Sequence, residues 1–113
     1  MRGLIMALVL TAAAPAWAEN WQVLDQDGGI AALTDRALIY EGGETQDFRP
    51  SGRTLYNAGA NSWGYWEIRD GRYCSQWPPS DAWDCYELSI SQDGQSIRFL
   101  DDWDNEFIGT YTD

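Results

Sequence analysis

The sequence of 113 residues contains no histidine and no lysine. Because histidine is missing, the Ser-His-Asp and Cys-His arrangements of nucleophilic catalysis are excluded, as are most zinc and copper sites. The sequence also lacks a glycine-rich loop that leads from a strand into a helix, the usual cradle for nucleotide phosphates. Carboxylates remain, but a glycosidase needs two of them across a cleft, for which so small a chain leaves little room. We therefore predict a protein that is not an enzyme and that uses no cofactor or metal.

Positive charge is scarce, since 7 arginines stand against 18 acidic residues and give a net charge of −11. Without Arg2, which belongs to an expected export signal, the net charge is 6 − 18 = −12. Nucleic-acid binding requires a basic surface for phosphate contacts, so we expect no nucleic-acid partner. The acidic excess either keeps the protein soluble and monomeric or attracts a basic partner, and the sequence leaves both open.

Long hydrophobic runs are also missing, apart from one near the N-terminus. Arg2 precedes an apolar run at residues 4–10, and Ala16-Trp17-Ala18 forms a small-x-small cleavage site. These are the three regions of an export signal, and the run is too short to span a bilayer. We expect a signal peptide at residues 1–18 and one domain at residues 19–113, periplasmic or secreted and without membrane insertion. An uncleaved N-terminal anchor is the alternative.

Only two cysteines are present, Cys74 and Cys85. An exported chain meets an oxidising compartment, in which two thiols normally form a disulfide bond. The two are too far apart in sequence for a Cys-x-x-Cys redox pair. A disulfide that closes so short a loop would stabilise a small domain by about 2 to 3 kcal/mol. We therefore predict a structural disulfide between them.

Turn signals set the register of the strands around this disulfide. Asp70-Gly71 and Asp93-Gly94 are typical of two-residue hairpin turns, in which both central residues need a positive φ. Folding the chain at these turns, with Cys74 opposite Cys85, collects apolar side chains of four strands on one face. This predicted inner face consists of Trp66, Ile68, Tyr73, Trp77, Tyr86, Leu88, Ile90, Ile97 and Phe99. The agreement of three hairpins on one face predicts an antiparallel meander.

Other segments of alternating polarity predict further strands near residues 37–41, 45–48, 54–56 and 107–111. About eight short antiparallel strands result, so the expected fold class is all-β. A sheet with one apolar face either stays a meander that packs against something else or closes into a small barrel. Closure is the more economical solution for a chain of this size.

A short helix is predicted ahead of these strands, at residues 25–35. Asp27 is a possible N-terminal cap, and Ile30 and Leu33 form an apolar stripe. We expect this helix to plug one end of the barrel.

The segment Trp63-Gly64-Tyr65-Trp66, followed by Tyr73-Cys74-Ser75-Gln76-Trp77-Pro78-Pro79-Ser80 and by Cys85-Tyr86, resembles a family of small exported bacterial proteins of unknown function. The resemblance extends over most of the chain after residue 18. It implies a short helix ahead of a lipocalin-like β-sheet, one disulfide and a periplasmic location. It implies no catalytic residue.

Aromatic residues are the best functional signal, since 15 of the 95 residues from position 19 onward are Trp, Tyr or Phe. The predicted inner face cannot hold them all, and exposed rings bind sugar faces, apolar ligands or partner proteins. The candidate ligand or partner surface consists of Trp63, Tyr65, Trp77, Pro78, Pro79, Trp83 and Trp103. For Trp83 and Trp103 we favour the interpretation in which both rings fold over a barrel end and complete a small core.

Two classes of function fit these observations. In the first, the protein is a binding module whose aromatic barrel mouth takes a small apolar or saccharide ligand. In the second, its acidic surface docks on a basic exported protein, as an enzyme inhibitor or an envelope assembly factor would. Salt separates the two, because docking between opposite charges weakens as ionic strength rises. We favour the binding module.

The densest acidic segment, at residues 101–106, superficially suggests calcium. Asp102, Asp104 and Glu106 place oxygen ligands at alternate positions, as Ca²⁺ prefers. Phe107, however, stands where the EF-hand loop requires glycine. We therefore expect a solvated turn between the last two strands.

Overall fold

The computed structural model describes residues 20–113, so the predicted signal peptide lies outside the described residues. This part of the chain forms nine strands and one short helix. In chain order they are β1 (Gln22–Val23), α1 (Gln26–Leu33), β2 (Arg36–Tyr40), β3 (Thr45–Phe48), β4 (Arg53–Asn57), β5 (Asn61–Arg69), β6 (Arg72–Gln76), β7 (Trp83–Ile90), β8 (Ser96–Leu100) and β9 (Glu106–Tyr111).

Strands β2 to β9 form a closed antiparallel barrel. Each strand pairs with its neighbour in sequence, and β9 closes the barrel by pairing with β2, where Tyr111 lies opposite Leu38. The predicted all-β fold is confirmed, and the eight strands close rather than remain an open meander. β1, which the sequence analysis did not predict, is an additional short strand that pairs with the end of β7.

The predicted register around the disulfide is confirmed. Arg69 lies opposite Arg72 across the turn between β5 and β6, and Cys74 lies opposite Cys85 in β7. Asp70 and Gly71 both have a positive φ, 52° and 81°, as their hairpin turn requires. The disulfide Cys74–Cys85 therefore links two paired strands across the outer wall of the barrel.

The hairpin between β7 and β8 also has the predicted register, with Ile90 opposite Ile97, but its turn differs from the predicted type. Of the Asp93-Gly94 pair, only the glycine has a positive φ. The Asp93 carboxylate instead accepts hydrogen bonds from the Ser91 hydroxyl at 2.7 Å and from the N–H of Gln95 at 3.0 Å. The side chain thus holds the turn without the left-handed conformation.

The barrel interior contains a continuous apolar core around Phe48. The ring of Phe48 lies edge-on to those of Trp66 and Tyr73, with centroid distances of 5.7 and 5.8 Å. The buried core residues are Ala32, Leu33, Leu38, Phe48, Trp66, Ile68, Tyr73, Leu88, Ile97 and Phe99. Most of the predicted inner face is among them, and Tyr86 and Ile90 are partly buried against it.

The predicted helix is present as α1, but its predicted cap was wrong. Asp25 is the N-cap, since its carboxylate accepts a hydrogen bond from the N–H of Gly28 at 2.7 Å. Asp27 lies within the first helical turn. Leu33 is fully buried as expected, whereas Ile30 is 44 % exposed. The apolar stripe is therefore narrower than the sequence suggested.

α1 packs across one end of the barrel, as the plug prediction requires. The Gln26 side chain donates a hydrogen bond to the carbonyl of Ile68 and accepts one from the N–H of Gly71, both at 2.7 Å. Gly29 permits this close approach, because a Cβ there would lie 3.2 Å from Cγ2 of Ile68. We call this end, where β2, β4, β6 and β8 begin, the closed end. The opposite end is the open end.

Candidate functional site

A cavity of about 400 Å³ lies at the open end of the barrel. Its lining consists of Tyr40, Glu41, Gly42, Glu44, Tyr56, Tyr73, Ser75, Tyr86, Phe99, Glu106, Phe107 and Ile108. Half of the lining residues are therefore aromatic, and three others are glutamates. The volume falls within the range of roughly 300 to 1,000 Å³ that is typical of small-molecule sites.

The floor of the cavity combines aromatic rings with a buried hydrogen-bond network. The rings of Tyr73 and Phe99 have centroids 5.0 Å apart. The Tyr40 hydroxyl donates to Oε1 of Gln46 at 2.7 Å. Nε2 of Gln46 donates to Oγ1 of Thr54 at 3.0 Å and to the Tyr73 hydroxyl at 3.2 Å. The amide of Gln46 is thus satisfied, and it fixes both tyrosines in place.

Burial raises the pKa of the two tyrosines that are bonded to Gln46, Tyr40 and Tyr73, well above the ordinary value of 10.0. For Tyr40, the neighbouring tyrosines and Glu44 raise the pKa further. For Tyr73, hydrogen bonds with Ser75 and Gln46 partly offset the effect of burial. Both phenols are therefore neutral hydrogen-bonding groups, which suits ligand binding better than proton transfer near neutral pH.

The upper walls of the cavity are also aromatic. The rings of Tyr40 and Tyr56 are 6.3 Å apart and inclined by 52°, and those of Tyr86 and Phe107 are 6.2 Å apart and nearly perpendicular. Among residues 20–113, the tyrosine hydroxyls with hydrogen bonds are those of Tyr40, Tyr73 and Tyr111. The hydroxyls of Tyr56 and Tyr86 are therefore available to a ligand.

The carboxylates of the cavity differ in their surroundings. Glu106 forms an ion pair with Arg98, at 3.3 Å between Oε2 and the guanidinium. Glu44 belongs to the turn between β2 and β3, and its negative charge raises the pKa of Tyr56 after the effect of burial. Glu41 lies in the same turn. The rim of the cavity is consequently negative on the side of this turn.

Two of the predicted site residues, Trp63 and Tyr65, lie together on the outer wall of the barrel and not in the cavity. The Arg53 guanidinium is 4.7 Å from the ring centre of Trp63 and 5.5 Å from that of Tyr65. Arg49 stacks on Trp63 as well, at 4.8 Å. Both aromatic rings remain partly exposed beneath the arginines.

Trp77 is the predicted site residue that borders the cavity most directly. Its ring lies edge-on to that of the lining residue Tyr56, with centroids 6.1 Å apart. Its Nε1 donates to the hydroxyl of Ser75, another lining residue, at 3.2 Å. Pro78 and Pro79 are exposed in the loop between β6 and β7, which belongs to the same end of the barrel.

The last two predicted residues, Trp83 and Trp103, lie apart from each other. Trp83 is half-buried on the outer wall, with the Arg69 guanidinium 5.1 Å from its ring centre. Trp103 is 79 % exposed in the loop between β8 and β9. The favoured interpretation, in which both rings fold over a barrel end and complete the core, is therefore wrong.

Three residues that shape the cavity, Tyr40, Tyr56 and Glu44, are not among the predicted site residues. The predicted strands at residues 37–41 and 54–56 include the two tyrosines, but the prediction does not say which face of the sheet each one occupies. The available signal was the short turn between β2 and β3, since pairing across it places Leu38 opposite Gln46 on the inner face. With the alternation of side chains, Tyr40 then also points inward.

The acidic segment between β8 and β9 forms a turn, as predicted. Oδ1 of Asp101 accepts hydrogen bonds from the N–H groups of Trp103 and Asn105, both at 2.8 Å. Asp102 pairs with Arg72 at 3.0 Å. Within residues 20–113, no group of three or more histidine, cysteine, aspartate or glutamate side chains is arranged to hold a metal ion.

Comparisons with protein-family models, with curated proteins and with solved structures gave no match to this chain. Across residues 20–113, the structure contains no helix of the length and apolar character needed to cross a membrane.

Proposed function

We propose that the protein is a non-enzymatic binding module that holds a small apolar or saccharide ligand in the cavity at the open end of the barrel. One observation carries this proposal: a cavity of about 400 Å³, half of whose lining residues are aromatic, lies opposite a barrel end that a helix packs against. Aromatic walls with a few oriented polar groups are typical of ligand pockets.

The polar groups of the cavity support a ligand with hydrogen-bonding capacity. The hydroxyls of Tyr56 and Tyr86 are available, while those of Tyr40 and Tyr73 are held by the buried amide of Gln46. A preorganised floor reduces the ordering cost of binding. Lipocalin-like barrels also have one plugged end and one open end. The resemblance to the exported family leads us to propose that this barrel is lipocalin-like.

The proposed location is the periplasm or the extracellular space. The Cys74–Cys85 disulfide supports it, because disulfides persist in oxidising compartments and are rare in the cytosol. The predicted signal peptide at residues 1–18 has the same implication.

The test uses a neutral apolar fluorophore, N-phenylnaphthylamine, whose emission rises in an apolar site. Tyr56→Ala removes a ring from the cavity and should weaken binding about tenfold, the size expected for one aromatic contact. Trp63→Ala removes an aromatic ring from the outer wall and should leave binding unchanged. The reverse pattern would place the site on the outer wall. Failure of the wild-type protein to bind N-phenylnaphthylamine would contradict an apolar ligand in the cavity.

A second candidate is an acidic interaction protein that docks on a basic exported partner. Five of the six arginines among residues 20–113 form ion pairs. Most of the acidic residues in this range therefore have no cationic partner. A pull-down from periplasmic extract at low and high salt tests it. A protein that is captured only at low salt would favour docking, because salt screens such contacts.

A further inference from the structure

The turn between β2 and β3 folds a carboxylate back over the cavity rim. Glu44 reaches across Gly42, where a Cβ would lie only 2.6 Å from its Oε2. The absence of a side chain at Gly42 leaves room for this carboxylate. Glu44 lines the cavity together with Tyr40 and Tyr56, whose inclined rings have centroids 6.3 Å apart. A negative charge and two aromatic rings are thus close together at one site.

This carboxylate has no cationic partner within residues 20–113. The ion pairs there involve Arg36, Arg49, Arg69, Arg72 and Arg98, and their partners are Asp113, Asp47, Glu67, Asp102 and Glu106. The sixth arginine, Arg53, stacks on Trp63 outside the barrel. Neither Glu44 nor Glu41 is neutralised, and there is no lysine or histidine in the chain that could do so.

Aromatic rings beside an uncompensated carboxylate favour one kind of ligand. A cation is attracted to the electron-rich faces of aromatic rings and to the carboxylate at the same time. An anion would be repelled by Glu41 and Glu44, and by the net charge of −11 of the chain. A neutral ligand can donate a hydrogen bond to the carboxylate, but it gains no attraction between opposite net charges.

From this geometry we propose that the ligand of the cavity is an organic cation, with an ammonium group between Glu44, Tyr40 and Tyr56 and a hydrocarbon body above Phe99 and Tyr73. This inference rests on the proposed binding function, since it names the ligand class of the same cavity. The body fills the aromatic interior, and the ammonium group remains at the rim, where it keeps part of its hydration.

Three probes with the same hydrocarbon body and different charge test the inference. They are phenylbutylamine, phenylbutanol and phenylbutyrate, titrated into the protein by calorimetry at neutral pH and low salt. We expect the amine to bind about tenfold more tightly than the alcohol, and the acid to bind more weakly than both. Raising the salt concentration should reduce the difference between the amine and the alcohol.

Glu44→Gln is the decisive variant, because it removes the charge and keeps the size of the side chain. It should weaken binding of the amine about tenfold and leave binding of the alcohol unchanged. Asp27→Asn is the matched control, since it removes one negative charge at the closed end and should affect neither probe. Circular dichroism confirms that both variants are folded.

The outcomes separate this inference from the proposed function. Equal affinity of the amine and the alcohol, or equal weakening by Glu44→Gln and Asp27→Asn, would overturn the organic cation and leave the binding cavity in place. Tighter binding of phenylbutyrate would overturn the inference as well. If neither the amine, the alcohol nor N-phenylnaphthylamine binds, the binding function fails and the inference fails with it.

Discussion

The two ends of the barrel are built from the same strands but differ in what fills them. At the closed end, Leu33 of α1 is fully buried in a core that includes Phe48 and Ile68. At the open end, tyrosines and carboxylates surround a cavity of about 400 Å³. Apolar packing therefore concentrates at one end of the barrel, and accessible aromatic and charged groups concentrate at the other.

A layer of side chains between the two ends contributes both to the core and to the cavity. Phe99 packs on Phe48 toward the core, with ring centroids 6.4 Å apart, and it also lines the cavity. Tyr73 is buried in the core and carries a hydroxyl that is bonded to Gln46. Changes at the closed end should therefore alter stability, whereas changes at the rim should alter binding with little effect on stability.

The largest effect is expected at the closed end. Leu33→Ala should lower the free energy of unfolding by about 3 kcal/mol, because it removes buried apolar volume and leaves a cavity. Ile30→Ala in the same helix is the control and should change stability by less than about 0.5 kcal/mol, since Ile30 is 44 % exposed. Urea denaturation measures both. Similar losses for the two variants would show that α1 is not the plug described above.

A second effect, spread over a pH range, is expected in the layer between the ends. Burial raises the pKa of Tyr40 and Tyr73 above 10.0, so the folded state keeps two protons that the unfolded chain loses as the pH rises past that value. Each tyrosine should then lower stability by about 1.4 kcal/mol per pH unit above pH 10. Below pH 10 their contribution is fully present.

Denaturation at several pH values between neutrality and strong alkali measures this slope, and tyrosinate absorbance reports the ionisation. Tyr73→Phe should remove one of the two contributions and flatten the slope. Ionisation of both tyrosines while the barrel is still folded would contradict the prediction.

The smallest expected change in stability is the difference between two aspartates at the closed end, Asp25 and Asp27. Asp25→Ala removes the cap of α1 and should cost about 1 kcal/mol, because the N–H of Gly28 loses its acceptor. Asp27→Ala should cost less than about 0.5 kcal/mol, since its carboxylate only interacts with the helix dipole. Thermal denaturation of both variants makes the comparison. Equal losses would show that the cap hydrogen bond contributes little to closing this end.

Much of the fold could be predicted from local patterns. Asp70-Gly71 sets a tight turn, and the pairing of Cys74 with Cys85 extends the same register across the next hairpin. Each of these relations joins residues close in sequence, so alternation of polarity and turn chemistry suffice to predict them. β1 was missed because two residues are too few for a pattern.

The candidate site was less predictable for a physical reason. Trp63 and Tyr65 attract attention as exposed aromatic residues, but alternation along β5 places them on the outer wall, where Arg53 covers them. The rings of Tyr40 and Tyr56 have centroids 6.3 Å apart, although β3 lies between their strands. Tyr40 and Tyr73 are both hydrogen-bonded to Gln46, and all three tyrosines line the cavity. Such a grouping depends on closure of the sheet, which no single hairpin specifies.

Sequence patterns suffice to predict the all-β class, the disulfide, the registers of the central hairpins and the presence of a short helix, because these depend on turns and alternation over a few residues. Closure of the sheet between β2 and β9 and capping of the helix by Asp25 are evident only in the folded molecule. The same is true of the cavity, which tyrosines from β2, β4, β6 and β7 surround beside Glu44. Closure brings together side chains from strands that are distant in sequence, and the spacing of these residues in the chain does not predict that they are close in space.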